Sequence, residues 1–175
     1  MAQPMNLEVV VRDETQRDVP VITQVTIEAF REMEISDHTE QFVTEALRSA
    51  GALTVSLVAE VGGRVVGHIA FSPVTFSDGT PDWYGLGPVS VLPEYQRQGI
   101  GRALIREGLS RLKKIGALGC CLVGHPEYYR RFGFVNPVGL MHKGVPQDVF
   151  FVLPFGEHTP EGIVTFHKAF EADGR

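Results

Sequence analysis

The chain has 175 residues, 43% hydrophobic and 21% charged, which suits one folded domain over residues 1–175 and excludes a disordered polypeptide. The net charge of −5 gives no support for nucleic-acid binding, and no apolar run approaches the roughly 20 residues needed to span a bilayer. Within that acidic whole, residues 97–114 carry Arg97, Arg102, Arg106, Arg111, Lys113 and Lys114 against the single acid Glu107. A basic segment on an acidic protein suits a small polyanionic ligand, although a solvated helix face would look the same.

Residues 1–6 lack the basic-then-apolar pattern of a secretory signal. Cys120 and Cys121 are adjacent, and neighbours on a strand point to opposite faces, so they are expected as reduced thiols, one of them buried. Both features point to a cytoplasmic protein with no membrane partner.

Residues 7–12 read as a short strand. A helix follows, started by Thr15 or Asp18, tolerating Pro20 in its first turn and repeating Ile22, Val25, Ala29 and Phe30 at helical spacing. A second helix over 38–49 stops at Gly51. Residues 53–61 and 64–76 form a hairpin around Gly62-Gly63, and after the Asp78-Gly79 turn a third strand covers 83–91. Pro88 lacks the N–H a ladder requires, so this strand is expected to bulge or part from a neighbour, leaving room for an extended ligand. The clearest helix spans 99–115, with Ile100, Leu104, Gly108, Leu112 and Ile115 as its buried stripe. A strand over 119–123, a short helix over 126–132 and strands over 149–155 and 162–166 complete the chain. The order β-α-α-β-β-β-α-β-α-β-β predicts one mixed α/β sheet.

The run from Val91 to Arg102, Val-Leu-Pro-Glu-Tyr-Gln-Arg-Gln-Gly-Ile-Gly-Arg, lies where the third strand hands over to the main helix. Such a junction presents unpaired backbone N–H groups and the positive end of a helix dipole. Gly99 and Gly101 admit phosphate oxygens close to the main chain, and Arg97 and Arg102 can add charge-assisted contacts. A P-loop would need a Lys after Gly101, and a dinucleotide fingerprint would need Gly where Leu104 stands.

Gln96-x-x-Gly99-x-Gly101, after a Val-x-Pro strand end and before an amphipathic helix, resembles the acetyl-CoA motif of the GNAT superfamily of N-acetyltransferases. The order of elements on both sides fits that superfamily too. The resemblance implies a mixed, mostly antiparallel sheet flanked by helices, with a splayed strand pair at the coenzyme A site. It implies acetyl-CoA as co-substrate, with no metal, and an amine of a small molecule or protein as acceptor. Main-chain N–H groups from Arg97 through Gln98, Gly99, Ile100 and Gly101 to Arg102, next to Gln96, would hold the pyrophosphate. Val89, Ser90 and Val91 would pair like a strand with the pantetheine arm. Superfamily members often dimerise, which makes a homodimer an expectation.

Pro126-Glu-Tyr-Tyr-Arg-Arg-Phe-Gly-Phe134 resembles the second signature of that superfamily, a Tyr four residues before Gly-Phe. The register selects Tyr129 as the cofactor-side residue that protonates the departing thiolate, whereas Tyr128 reads as core or acceptor-site lining. A phenol of pKa about 10 can serve a thiolate whose conjugate acid lies near 8.5. Many relatives carry an Asn before this helix, but Leu122-Val123-Gly124-His125 has none. The reaction implied is direct attack of an amine on the thioester. An alkylamine of pKa about 10.4 is neutral about one part in 2,500 at pH 7, a cost of roughly 4.6 kcal/mol that a base or desolvation must offset. The developing oxyanion would need a backbone N–H near Val89.

No base is evident. Asp82 begins the third strand, which has no central carboxylate, and mid-strand His68 is chemically apt but also suits a satisfied core position. Glu28, Glu32 and His38 lie near the region that commonly lines acceptor sites, where surface charge accounts for them as well. A catalytically idle acyl-CoA sensor is therefore the alternative. Phe150, Phe151 and Phe155 suggest an apolar acceptor wall, though a sheet core explains them too.

Overall fold

The computed structural model describes residues 8–175; Leu7, expected to open the first strand, lies outside them. The elements in chain order are β1 (Val9–Asp13), α1 (Val19–Phe30), α2 (Glu40–Ser49), β2 (Val55–Val61), β3 (Arg64–Pro73), β4 (Thr75–Phe76), β5 (Trp83–Val91), α3 (Ile100–Lys114), β6 (Gly119–Val123), α4 (Pro126–Tyr129), β7 (Leu140–Met141), β8 (Phe150–Pro154) and β9 (Gly162–Thr165). The main sheet runs β1-β2-β3-β5-β6-β8, antiparallel except for the β5/β6 pair. The mixed, mostly antiparallel architecture expected from the sequence is present. Among the described residues no helix is long and apolar enough to cross a membrane.

One expectation fails at the sheet edge. The strand predicted over 64–76 breaks at Pro73, where the chain leaves the main sheet and Val74 N–H bonds to Trp83 O at 3.1 Å. β4 instead joins β9 and the unforeseen β7 in a small second sheet, so the 162–166 strand is not part of the main one. Strands of two to four residues carry too little periodicity to assign to a sheet in advance.

α1 starts after a short 3-10 turn in which Thr15 N–H donates to Asp18 Oδ2 at 2.7 Å. Arg12 clamps the same carboxylate at 2.7 and 3.0 Å, tying the end of β1 to the helix entry. α2 begins two residues later than expected because His38 adopts a positive φ of 58°. The predicted 126–132 helix is one α-turn, α4, continued by a 3-10 turn over Arg130–Phe132.

α3 packs Ile100, Leu104, Ile105 and Leu112 into the main core with Leu57, Ile69 and Phe71. Ile115, expected in the stripe, is 55% exposed because the helix ends at Lys114, and Ile105 and Leu109 are buried instead. Both cysteines, rather than one, are buried, and both are free. Phe150 and Phe151 are completely buried on opposite faces of β8, so the sheet core accounts for them.

The feature that makes a site lies in β5. Ile69 pairs with Val89 but Phe71 pairs with Leu86, so β5 carries an extra residue at Gly87-Pro88. On its other edge, β5 pairs with β6 only from Trp83 to Gly85, against Gly119 to Cys121. Beyond Gly85 the two strands part, and β6 continues with β8 alone. The bulge and the parting expected around Pro88 are both present.

Candidate active site

At the head of the gap, a short turn over Pro93–Tyr95 leads into residues 96–99 and then α3. Arg97 and Gly99 both take positive φ, 62° and 85°, which reverses the local backbone twice before the helix begins. The first α-helical bond of α3 runs from Ala103 N–H to Gly99 O at 3.0 Å, and no side chain caps the helix. The N–H groups of Ile100, Gly101 and Arg102 therefore precede the ladder, at the positive end of a 15-residue helix. Arg97 and Arg102 are exposed and have no ion-pair partner among the described residues. The rest of the basic segment lies elsewhere: Arg111 pairs with Asp13 and Glu107, and Lys113 and Lys114 lie in the last turn of α3.

The two glutamines of the motif brace their own loop. Gln96 Nε2 donates to Val91 O at 2.9 Å, and Gln98 Nε2 donates to Glu94 O at 3.1 Å. Their side chains hold the turn between β5 and α3.

A cleft of about 400 Å³ runs along the gap, lined by Phe30, Val89, Val91, Gln96 and Tyr129 among others. Ser90, expected with its neighbours, turns its side chain away: it is buried opposite His68 of β3. Tyr129 is 9% exposed, set edge-on to Tyr128 at 5.0 Å and Phe134 at 6.1 Å. Burial pushes its phenol pKa up, so the hydroxyl keeps its proton across the physiological range. Gly124 permits this placement, because a Cβ there would stand 2.3 Å from Tyr129 Cε2. Tyr128 also lines the cleft and packs against the main core, as the core reading expected. Its hydroxyl would lie 3.0 Å from a Cβ placed on Gly101, and the Arg131 guanidinium stacks 4.9 Å above its ring.

A second cavity of about 640 Å³ shares Leu86, Gly87, Pro88 and Val123 with the cleft, so the two meet where β5 and β6 part. Val43, Ile163, Phe166 and Phe170 give it apolar walls, and Glu40 and His142 bring polar atoms to it.

The acetyltransferase (GNAT) family description matches residues 21–134, more than half of the chain. The chain belongs to the GNAT family. It is 37% identical over 109 residues to the uncharacterized N-acetyltransferase YhbS of Escherichia coli, a match spanning 62% of this chain and 65% of that one. It is 40% identical over 94 residues to YjhQ of the same organism, spanning 53% and 51%. The chain thus matches less than two thirds of the length of these curated relatives. Among solved structures, a Brucella melitensis GNAT acetyltransferase in complex with acetyl-CoA is 48% identical, with 94% of this chain and 99% of that one covered and a TM-score of 0.84. YhbS in complex with CoA is 30% identical, with 99% and 98% covered and a TM-score of 0.85.

None of the groups weighed as a base from the sequence of this GNAT chain lines the cleft or the cavity. His68 is completely buried, with Nε2 2.8 Å from Ser56 Oγ; Ser56 also bonds Glu14, whose Oε1 lies 3.8 Å from the ring. Desolvation lowers the His68 pKa against the pull of Glu14, which makes it a neutral core histidine. Glu28 pairs with Arg31 at 2.8 Å, Glu32 is exposed, and His38 lines a separate small pocket beside α1. Asp82 is an exposed turn residue with φ 62°. Glu40 and His142, which do line the cavity, were missed, because neither sits in a motif and nothing in their spacing links α2 to the segment after β7.

Proposed function

We propose that this chain transfers the acetyl group of acetyl-CoA to an amine of a small molecule or protein by direct attack, with both substrates bound together. The observation that carries this reading is the parting of β5 from β6 beyond Gly85, with an uncapped helix start at its head, Tyr129 on its wall and a second cavity meeting it. The Brucella melitensis and Escherichia coli relatives, solved with acetyl-CoA and CoA, support the choice of donor.

Main-chain N–H groups of residues 97–102 hold the pyrophosphate, and the Arg97 and Arg102 guanidinium groups add charge-assisted contacts. The freed edge of β5 from Val89 to Val91 offers its backbone to the pantetheine arm as a neighbouring strand would, Ser90 contributing main chain only. An N–H near Val89 receives the charge that develops on the acetyl oxygen. Tyr129 delivers its proton to sulfur as the C–S bond breaks. Burial makes the phenol a weaker acid, but it makes a free thiolate less stable in the same place, so the transfer remains matched.

Calorimetric titration with acetyl-CoA and dephospho-CoA, on wild type and on Gly99→Trp, tests the donor site. A side chain at Gly99 meets open space but must take a positive φ, so Trp both adds bulk at the helix start and distorts the loop that would hold the pyrophosphate. Micromolar acetyl-CoA binding lost in the variant is the expected result; no heat and no thermal stabilisation with folded wild type would sink the proposal. Tyr129→Phe then separates turnover from binding. Intact binding with no turnover in either form would leave a non-catalytic acyl-CoA sensor.

A further inference from the structure

Tyr128 belongs to α4, yet its hydroxyl reaches the start of α3, where a Cβ placed on Gly101 would meet it at 3.0 Å. The ring is fixed at its edges by Tyr129 at 5.0 Å and Phe132 at 5.5 Å, and the Arg131 guanidinium covers one face at 4.9 Å. The two adjacent arginines of the turn after α4 differ. Arg130 Nη2 donates to Asn136 Oδ1 at 3.2 Å, and Asn136 donates in turn to the carbonyls of Gln147, Asp148 and Phe150. Arg131 is exposed and has no carboxylate partner among the described residues. A guanidinium stacked on an aromatic face keeps its in-plane N–H groups free to donate.

We infer that Tyr128 and Arg131 are donor-binding residues, the Tyr128 hydroxyl and the Arg131 guanidinium holding the pyrophosphate of acetyl-CoA from the α4 side while the start of α3 holds it from the other. The inference rests on the acetyl-transfer reading and adds to it two residues outside the 96–102 segment. The pyrophosphate, rather than the 3′-phosphate, is the group they meet, because Tyr128 lines the cleft together with Val89, Val91 and Gln96 and ends at Gly101. A phosphate that follows the pantetheine arm to the head of the cleft comes to rest beside that hydroxyl.

The electrostatics agree with the geometry. Burial raises the Tyr128 phenol pKa, and the Arg131 and Arg102 charges pull against it without reversing it. The hydroxyl therefore keeps its proton at neutral pH and can donate to an anion. Both guanidinium charges also reach the phenol, which gathers Arg102, Arg131 and the hydroxyl around the start of α3. Arg97 and Arg102 lie exposed in a loop and a first helical turn, whereas Arg131 is already held against a ring that three neighbours fix. Less side-chain freedom is lost when such a group binds, so its contact yields more affinity.

The test is calorimetry with acetyl-CoA, CoA and dephospho-CoA at low and high salt, on wild type, Tyr128→Phe, Arg131→Gln, Arg131→Lys and Arg130→Gln. Arg131→Gln is expected to weaken acetyl-CoA binding about tenfold at low salt, and Tyr128→Phe about fivefold. Arg131→Lys should fall between wild type and Arg131→Gln, since it keeps the charge but not the stacked fork. The losses should be equal for CoA and dephospho-CoA, and the gap between wild type and Arg131→Gln should narrow at high salt. Arg130→Gln should bind as wild type does, and the exposed Arg131 variants should melt as wild type does. Wild-type affinity in Tyr128→Phe or Arg131→Gln overturns the role of that residue. A loss present with CoA and absent with dephospho-CoA moves the contact to the 3′-phosphate and overturns the assignment. A loss indifferent to salt, or matched in Arg130→Gln, marks packing or a diffuse field and overturns it too. Failure of wild type to bind acetyl-CoA would instead strike the donor reading. Should Tyr128→Phe not fold, the Arg131 series decides the matter.

Discussion

Replacing Gly124 by Ala probes the positioning of Tyr129 without touching its hydroxyl. The added Cβ would lie 2.3 Å from Cε2 and 2.8 Å from Cδ2 of that ring, where carbon atoms need about 3.5 Å. The ring must therefore recede by roughly 1 Å, and its far side is already occupied by Tyr128 and Phe134. Backbone retreat at Gly124 is opposed by its N–H bond to Val149 O at 2.9 Å. Overpacking of this kind costs about 1–3 kcal/mol of stability. A displacement near 1 Å of a proton donor costs on the order of 100-fold in rate. Thiol release with the best amine of a panel should fall accordingly in Gly124→Ala, while calorimetry should show a much smaller loss of acetyl-CoA affinity, because the main-chain groups at the helix start are not themselves in the clash. Wild-type turnover and melting temperature in this variant would refute both the packing argument and the role assigned to Tyr129.

Gly85→Ala places a Cβ 2.5 Å from Phe166 Cε1, so it should raise KM for the amine with little change in acetyl-CoA affinity, read from initial rates. Stability should decline in acid through the buried Glu14–Ser56–His68 cluster. Burial alone would raise the Glu14 pKa, but His68, Arg48 and Ser56 outweigh it and hold it at about 2 against an ordinary 4.5. His68 is also depressed, by burial. Both groups stabilise the fold above their unfolded pKa values, about 6.5 for His68 and 4.5 for Glu14, and that stability is lost as pH falls through the folded values. Calorimetric melting should thus show a decline starting near pH 6.5, and Glu14→Gln should flatten the part below about pH 4.5. Burial raises both cysteine pKa values, so neither thiol should react with a disulfide reagent in the native protein, and both should react in denaturant.

The proposed donor half of the site was announced in part by the residues themselves and in part by their resemblance to the GNAT motif. A proline that cannot donate, placed inside an apolar strand, announces the bulge at Gly87-Pro88; glycines just before a strongly periodic helix announce a backbone that can face an anion. These are local constraints, set by covalent geometry and by hydrogen-bonding capacity within a dozen residues, so they are already present in the sequence as written. The same local logic placed β5 and α3, whereas Tyr129 was singled out by the resemblance to the second GNAT signature. It could not show that the side chains of Gln96 and Gln98 fold back on Val91 and Glu94, nor that Ser90 faces His68 across the ladder, since each depends on the path of the chain in three dimensions. The second cavity was decided by tertiary structure alone. Glu40 and His142 lie about a hundred positions apart on segments without a motif, and they meet one cavity because β4, β7 and β9 pair into a second sheet that carries the C-terminal segment to the mouth of the gap. Short strands gain their stability from partners distant in sequence, and that is why no local pattern foretold the pocket they build.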